Sequence, residues 1–470
     1  MLPQPLRVGP SHRLAPDSRA RADLQSAIAR LQRLPGHARF GRLATIEEVA
    51  GVAEPGCPVV ALVTTDSGSV SLVVSRAYEG ATPSFEAIWA PELTTAVLNR
   101  VLTKVEGDKV VGGYLAGQVG DQDALEAALA DGLPTVGASL IGPLAVRLRE
   151  LDATGVVLLP TGLLGLLPLH AAPYPVDGGT RCLLDEFDVS HTPGALVLRA
   201  ARAALAAREA TPPVLVGVGN PQPHPNPLAF ARAELEEVAR FFPDGASHPL
   251  YETAATETAL VGLLPGATHV HLACHGRFDA DTPLDSCLEL ARPDPPLPGD
   301  DEGRVRLEEI LGGDWFGHAR LVVLSACQTA ITDARRLPDE AIGLPAGLLQ
   351  AGVPGVIGTL WSVDDLSTTL LMTQFYAYHR RGDPATGEGP MAPAAALRRA
   401  QGWLKTRTAD DLVTLLAAHR SMAAAAEQRR GTRMSAAEAG TGLRQLGLED
   451  PTSRPFADPY YWAPFLAIGA

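Results

Sequence analysis

The stretch Ala319 to Ala330, ARLVVLSACQTA, constrains the fold more than any other part of this chain. Its apolar run, Leu321 to Leu324, is too short for a helix and too uniform for a half-exposed strand, so it reads as a buried central strand. Just past it, Ser325, Ala326, Gln328 and Thr329 surround Cys327 with small or polar neighbours. A chain leaves a sheet in this way while keeping one side chain accessible at the carboxyl edge, where open α/β sheets bind their ligands.

A second stretch, Ala267 to Phe278 (ATHVHLACHGRF), has the same design. His269 and His271 alternate along a short apolar strand and read as structural histidines, and Cys274 reads as core. The strand breaks at His275-Gly276, which offers an imidazole base beside a backbone N–H that a substrate carbonyl can approach closely. Adjacent parallel strands joined by a crossover would let His275 and Cys327 meet.

A chain of 470 residues exceeds the usual size of a single core, so two domains are expected. The net charge of −14 argues against nucleic acid or an anionic membrane as the main partner. Five cysteines without a CxxC pair read as reduced thiols, which implies a cytoplasmic protein. Strand alternation sends neighbouring His and Cys side chains near 269 to 275 to opposite faces, so no metal is expected. No apolar run reaches the roughly 18 residues that span a bilayer.

Along the chain, Asp17 to Leu34 reads as an amphipathic helix, and Pro58 to Thr64 with Ser69 to Ser75 as a hairpin turning at Thr65 to Gly68. Helical patterns follow near Pro91 to Lys104 and Ala124 to Leu151, then a buried strand from Thr154 to Pro160. After a boundary near residue 210, a strand from Val214 to Val218 ends in Gly219-Asn220 and a proline-studded loop, PQPHPNP. Gly217-Val218-Gly219 hints at a nucleotide site but lacks the third glycine of a dinucleotide fingerprint. Thr256 reads as the N-cap of a helix to Leu264. Helices at 340–351 and 366–379 flank a strand at Val356 to Leu360, and the aromatic tail PYYWAPFLAIG reads as a closing strand. This alternation implies a mostly parallel sheet covered by helices on both faces.

The set LACHGRF, LVVLSACQTA, GLPAGLLQAGVPGVIGTLWSVDD and YYWAPFLAIG, in this order, closely resembles the CHAT domain, a caspase-like group of bacterial cysteine peptidases related to caspases and separase. The resemblance implies an N-terminal tail and helix (1–45), an inactive caspase-like subdomain (46–210) and a catalytic one (211–470). It implies His275 as general base, Cys327 as nucleophile, and the backbone N–H groups of Gly276 and Cys327 as the oxyanion site. Many such chains carry tetratricopeptide repeats in front, and no period of about 34 residues occurs here.

The chemistry agrees with that assignment, because a free thiol has a pKa near 8.5 and needs a neighbouring imidazole to supply thiolate. Trp361 to Asp365, WSVDD, is similar to a separase segment lining the pocket for a basic P1 residue, with Asp365 at the matching position and Asp364 beside it. Either aspartate equally suits the N-cap of the helix that follows. The expected partners are a protein or peptide substrate and a separately encoded activator or regulator, in a bacterial defence or cell-death setting. No cofactor, nucleic acid or membrane is expected. The alternative is a catalytically silent caspase-like scaffold.

Overall fold

The computed structural model describes residues 18–35, 41, 42, 44–106, 109–118, 122–279, 282–292, 303–325, 343–419, 421, 422, 424 and 450–470. The apolar runs assemble into one sheet of eleven strands. In chain order these are β1 (Val59–Thr65), β2 (Gly68–Ser75), β3 (Ser84–Ala90), β4 (Gly155–Pro160), β5 (Asp188–His191), β6 (Leu215–Gly219), β7 (Ser247–Tyr251), β8 (His269–Ala273), β9 (Leu321–Leu324), β10 (Gly355–Thr359) and β11 (Phe465–Gly469). In space they run β7-β6-β8-β9-β10-β11-β5-β4-β1-β2-β3.

Pairing is parallel from β7 through β10 and from β11 through β5 and β4 to β1. It is antiparallel between β10 and β11 and in the β1-β2-β3 meander. Every residue of β8, β9 and β10 is buried, as central strands covered on both faces must be. The fold is therefore a mixed, mostly parallel sheet flanked by helices, in agreement with the alternation read from the sequence.

The expected tail strand lies inside the sheet rather than at its margin. β11 pairs with β10 from Thr359↔Phe465 to Gly355↔Gly469, and its other edge meets β5 at Ile468↔His191. Sheet and core thus run without interruption past residue 210. One buried cluster joins Val60, Leu98 and Leu158 to Trp361, Phe375 and Phe465. Arg208, in the helix Ala195–Arg208, donates to the carbonyls of Ala319 (2.5 Å) and Gly352 (2.7 Å).

Gly469 has φ +99°, and a Cβ there would lie 2.3 Å from the Pro354 carbonyl oxygen. Neither demand suits an L side chain. Gly469→Ala is expected to lower unfolding free energy by about 1–3 kcal/mol, read as a lower urea midpoint at an unchanged m-value.

Residues Gln122 to Glu150 form a 29-residue helix, long and apolar enough to cross a membrane by length and composition, and half buried within the protein. A π turn, Gly137–Ile141, interrupts it shortly after Pro134, which cannot donate to the helical ladder. Its apolar stripe is spent on the core: Leu125, Leu133, Leu140 and Leu148 are all buried.

Candidate active site

Strands β6, β8, β9 and β10 all point their carboxyl ends to the same side of the sheet, and the candidate residues leave from there. β8 and β9 are neighbours, with Leu272 opposite Leu324. His275 follows three residues after Leu272, and Cys327 stands three residues after Leu324. Parallel strands lie about 4.8 Å apart, so this register brings the carboxyl ends of β8 and β9 to one level. Cys327 lies outside the described residues. Ser325, the last described residue before it, is buried.

His275 opens a short strand, His275–Arg277, which pairs with Cys287–Glu289 and through it with Arg304–Arg306. This small sheet covers the carboxyl end of β8 and places Gly276 opposite Leu288. The imidazole is half-buried, and its Nε2 lies 2.6 Å from the backbone carbonyl oxygen of Asn226. A carbonyl only accepts, so Nε2 carries the proton and Nδ1 is left as the basic nitrogen. Burial holds the His275 pKa below its ordinary value, and the nearby His224 ring acts in the same direction. The Asn226 carbonyl and Glu289 oppose both. The ring is therefore neutral, and able to take a proton, at pH 7.

The carbonyl partner comes from the proline-studded loop after β6. Asn220, at φ +52°, starts that loop and uses its side-chain oxygen to accept from Leu228 N and Gln222 Nε2, both at 2.9 Å. Asn is one of the few side chains that tolerates this left-handed conformation. The loop ends where Phe230 N donates to Asp365 Oδ2 at 2.9 Å, so it is anchored at both ends. Sequence reasoning reached the loop and not its role, because a backbone carbonyl carries no residue-type signature.

The remaining candidates divide. Asp364 is the N-cap of the helix Asp365–Arg381, accepting from Ser367 N at 2.8 Å. Asp365 ties that helix to the loop after β6. Both are half-buried. Trp361 corrects the expectation of a pocket-lining ring: its side chain is fully buried, edge-on to Tyr114 with 6.1 Å between centroids. Its indole N–H donates to the Tyr460 carbonyl at 3.0 Å. A ring so enclosed offers no surface to a substrate and serves the core.

His269 and His271 are structural, as expected. His271 Nε2 meets Glu234 Oε1 at 2.8 Å with both side chains buried, and His269 Nδ1 meets Thr268 Oγ1 at 2.9 Å. Cys274 and Cys287 are buried. Among the described residues no cluster of His, Cys, Asp and Glu is arranged to hold a metal ion.

Comparison with known proteins gives one family: the CHAT domain model matches residues 133–470. Among curated proteins no match is found. Among solved structures, the Saccharomyces cerevisiae separase in its complex with securin is similar at 11% identity and a TM-score of 0.46, over 81% of this chain and 31% of that one. The Arg-specific cysteine proteinase gingipain R is similar at 8% identity and a TM-score of 0.37, over 74% of this chain and 68% of that one. The Porphyromonas gingivalis RgpB pro- and mature-domain complex gives 9% identity and a TM-score of 0.34, over 74% and 70%.

Proposed function

The chain belongs to the CHAT domain family, and from that premise we propose that it is a cysteine endopeptidase using His275 and Cys327. The observation that carries the reading is the adjacency of β8 and β9 in parallel register, with the His275 ring already oriented by the Asn226 carbonyl. In the proposed reaction, Cys327 Sγ attacks the scissile carbonyl carbon while Nδ1 of His275 takes the thiol proton. The tetrahedral oxyanion is met by the backbone N–H groups of Gly276 and Cys327. His275 then returns the proton to the leaving amine. Water, deprotonated by the same nitrogen, hydrolyses the thioester and regenerates the thiol.

A basic P1 residue is proposed, with Asp365 as its reader and Asp364 contributing negative charge beside it. The same enzyme is proposed to act in the cytoplasm, on a protein substrate, under a separately encoded regulator and in a defence or cell-death setting. The test is identification of new termini after incubating a proteome-derived peptide library with wild type and with Cys327→Ala. The expected result is cleavage by wild type alone, clustered after Arg or Lys. Clustering after other residues removes the role of Asp365 and leaves the peptidase, whereas no cleavage with or without candidate partners supports a scaffold. Asp365→Asn keeps the oxygen that accepts from Phe230 and removes the charge. It is expected to lower kcat/KM for Arg and Lys substrates by about tenfold or more relative to neutral ones.

A further inference from the structure

Two groups beside His275 remain without an assignment. The His224 ring, on the anchored loop after β6, stacks on the His275 ring with 3.9 Å between centroids and 21° between planes. Its Nε2 lies 3.0 Å from Glu289 Oε2, and Glu289 stands directly opposite His275 in the small covering sheet. On its other side, His224 Nδ1 lies 3.1 Å from Asn226 N and 3.0 Å from the Asn226 carbonyl oxygen, so both edges of the ring are held. The backbone of Asn226 therefore meets both rings: its N–H and carbonyl oxygen lie against His224, and the same carbonyl holds His275.

We infer that His224 is a positioning residue for His275, fixing the plane of its ring so that Nε2–H stays on the Asn226 carbonyl and Nδ1 stays free, with Glu289 holding His224 in turn. A hydrogen bond to one carbonyl leaves an imidazole free to rotate about that bond. A stacked ring removes that freedom, and two such contacts define the orientation. The two ends of the loop are anchored without the His224 side chain, by Asn220 and Asp365. Among the described residues, the charged and titratable groups acting on His275 are His224 and Glu289. A positive charge on His224 would oppose protonation of the stacked ring, and Glu289 would favour it.

The kinetic arm of the test rests on the peptidase reading; the spectroscopic arm does not. His224→Ala is expected to lower kcat about tenfold with KM within twofold, since a misoriented base costs rate rather than binding. His224→Phe, which restores the stack without the nitrogens, is expected to recover most of that loss. Glu289→Gln is expected to lower kcat less, and in the same direction. In the full chain carrying Cys327→Ala and ¹⁵N-labelled histidine, the His275 signal is expected to report a single Nε2–H tautomer, replaced by a tautomer mixture when His224→Ala is added. Unchanged kcat and tautomer in His224→Ala, or a Phe variant no better than Ala, overturns the proposal. If wild type cleaves no peptide, the peptidase reading fails and the tautomer measurement alone decides the role of His224.

Discussion

His275→Ala and Cys327→Ala are each expected to lower kcat/KM for peptide hydrolysis by about 10³-fold or more. Without the cysteine no thioester forms. Without the imidazole the thiol keeps its proton at neutral pH, and the leaving amine departs without one. Because the two act as a unit, the double variant is expected to be no slower than the worse single one. The His275 ring is half-buried and bound to a surface loop, so its removal is expected to leave the thermal midpoint within a few degrees of wild type. Its lowered pKa adds a sign: the base is neutral above its ordinary value of about 6.5, and the acid limb of kcat/KM is expected below that pH. An acid limb above 6.5, or retention of more than a tenth of the activity by either variant, would count against the dyad.

A second large effect concerns stability in mild acid. His170, His191 and His269 are buried, and their burial holds all three pKa values below the ordinary value. His191 falls to about 4, and His379, whose Nδ1 meets the Met391 carbonyl at 2.7 Å, also falls to about 4. His170 faces His191 edge-on at 5.8 Å, and a charge on either would further oppose a charge on the other. A depressed folded pKa means that the unfolded chain binds protons that the folded chain refuses. Stability is therefore complete above about pH 6.5 and falls as pH drops toward 4.

For His191 alone the loss amounts to about 2 kcal/mol by pH 5, and the other three act with the same sign. Carboxylates behave differently: Glu86, lowered by its hydrogen bonds from Arg147, loses its contribution only below about 4.5. Urea midpoints measured at pH 7 and pH 5 should differ markedly. The difference should shrink in a protein carrying both His170→Phe and His191→Phe. Equal midpoints at the two pH values would show that these rings are charged, or hydrated, in the folded state.

Much of this was legible in the sequence because uniform apolarity has few structural solutions. Leu321–Leu324 could only be a strand covered on both faces, and it lies between β8 and β10. Thr256 caps its helix as read, accepting from Ala259 N. The edge strand β3 was not legible: its exposed face carries Phe85 and Trp89 while Glu86 sits on the less exposed one, so polarity does not follow burial there. The hairpin Lys104–Glu106 with Lys109–Gly112 was hidden behind the helical pattern before it. At the site, His275 announced itself by residue type and by the glycine after it. Asn226, His224 and Glu289 did not, because loop geometry and strand register bring them in from segments that share no local pattern with LACHGRF.

The place of β11 has a consequence for how the protein is made. Translation delivers its residues after those of the other ten strands, yet it is the strand that joins β10 to β5. Until it emerges from the ribosome, the two groups of strands can form separately but share no edge. The sheet is thus completed by the last of its eleven strands to be synthesised, and its formation is tied to a contact spanning more than a hundred residues between β10 and β11. A ribosome stalled before that point would leave two exposed strand edges. Chains halted there are therefore expected to bind chaperones more than chains that include β11.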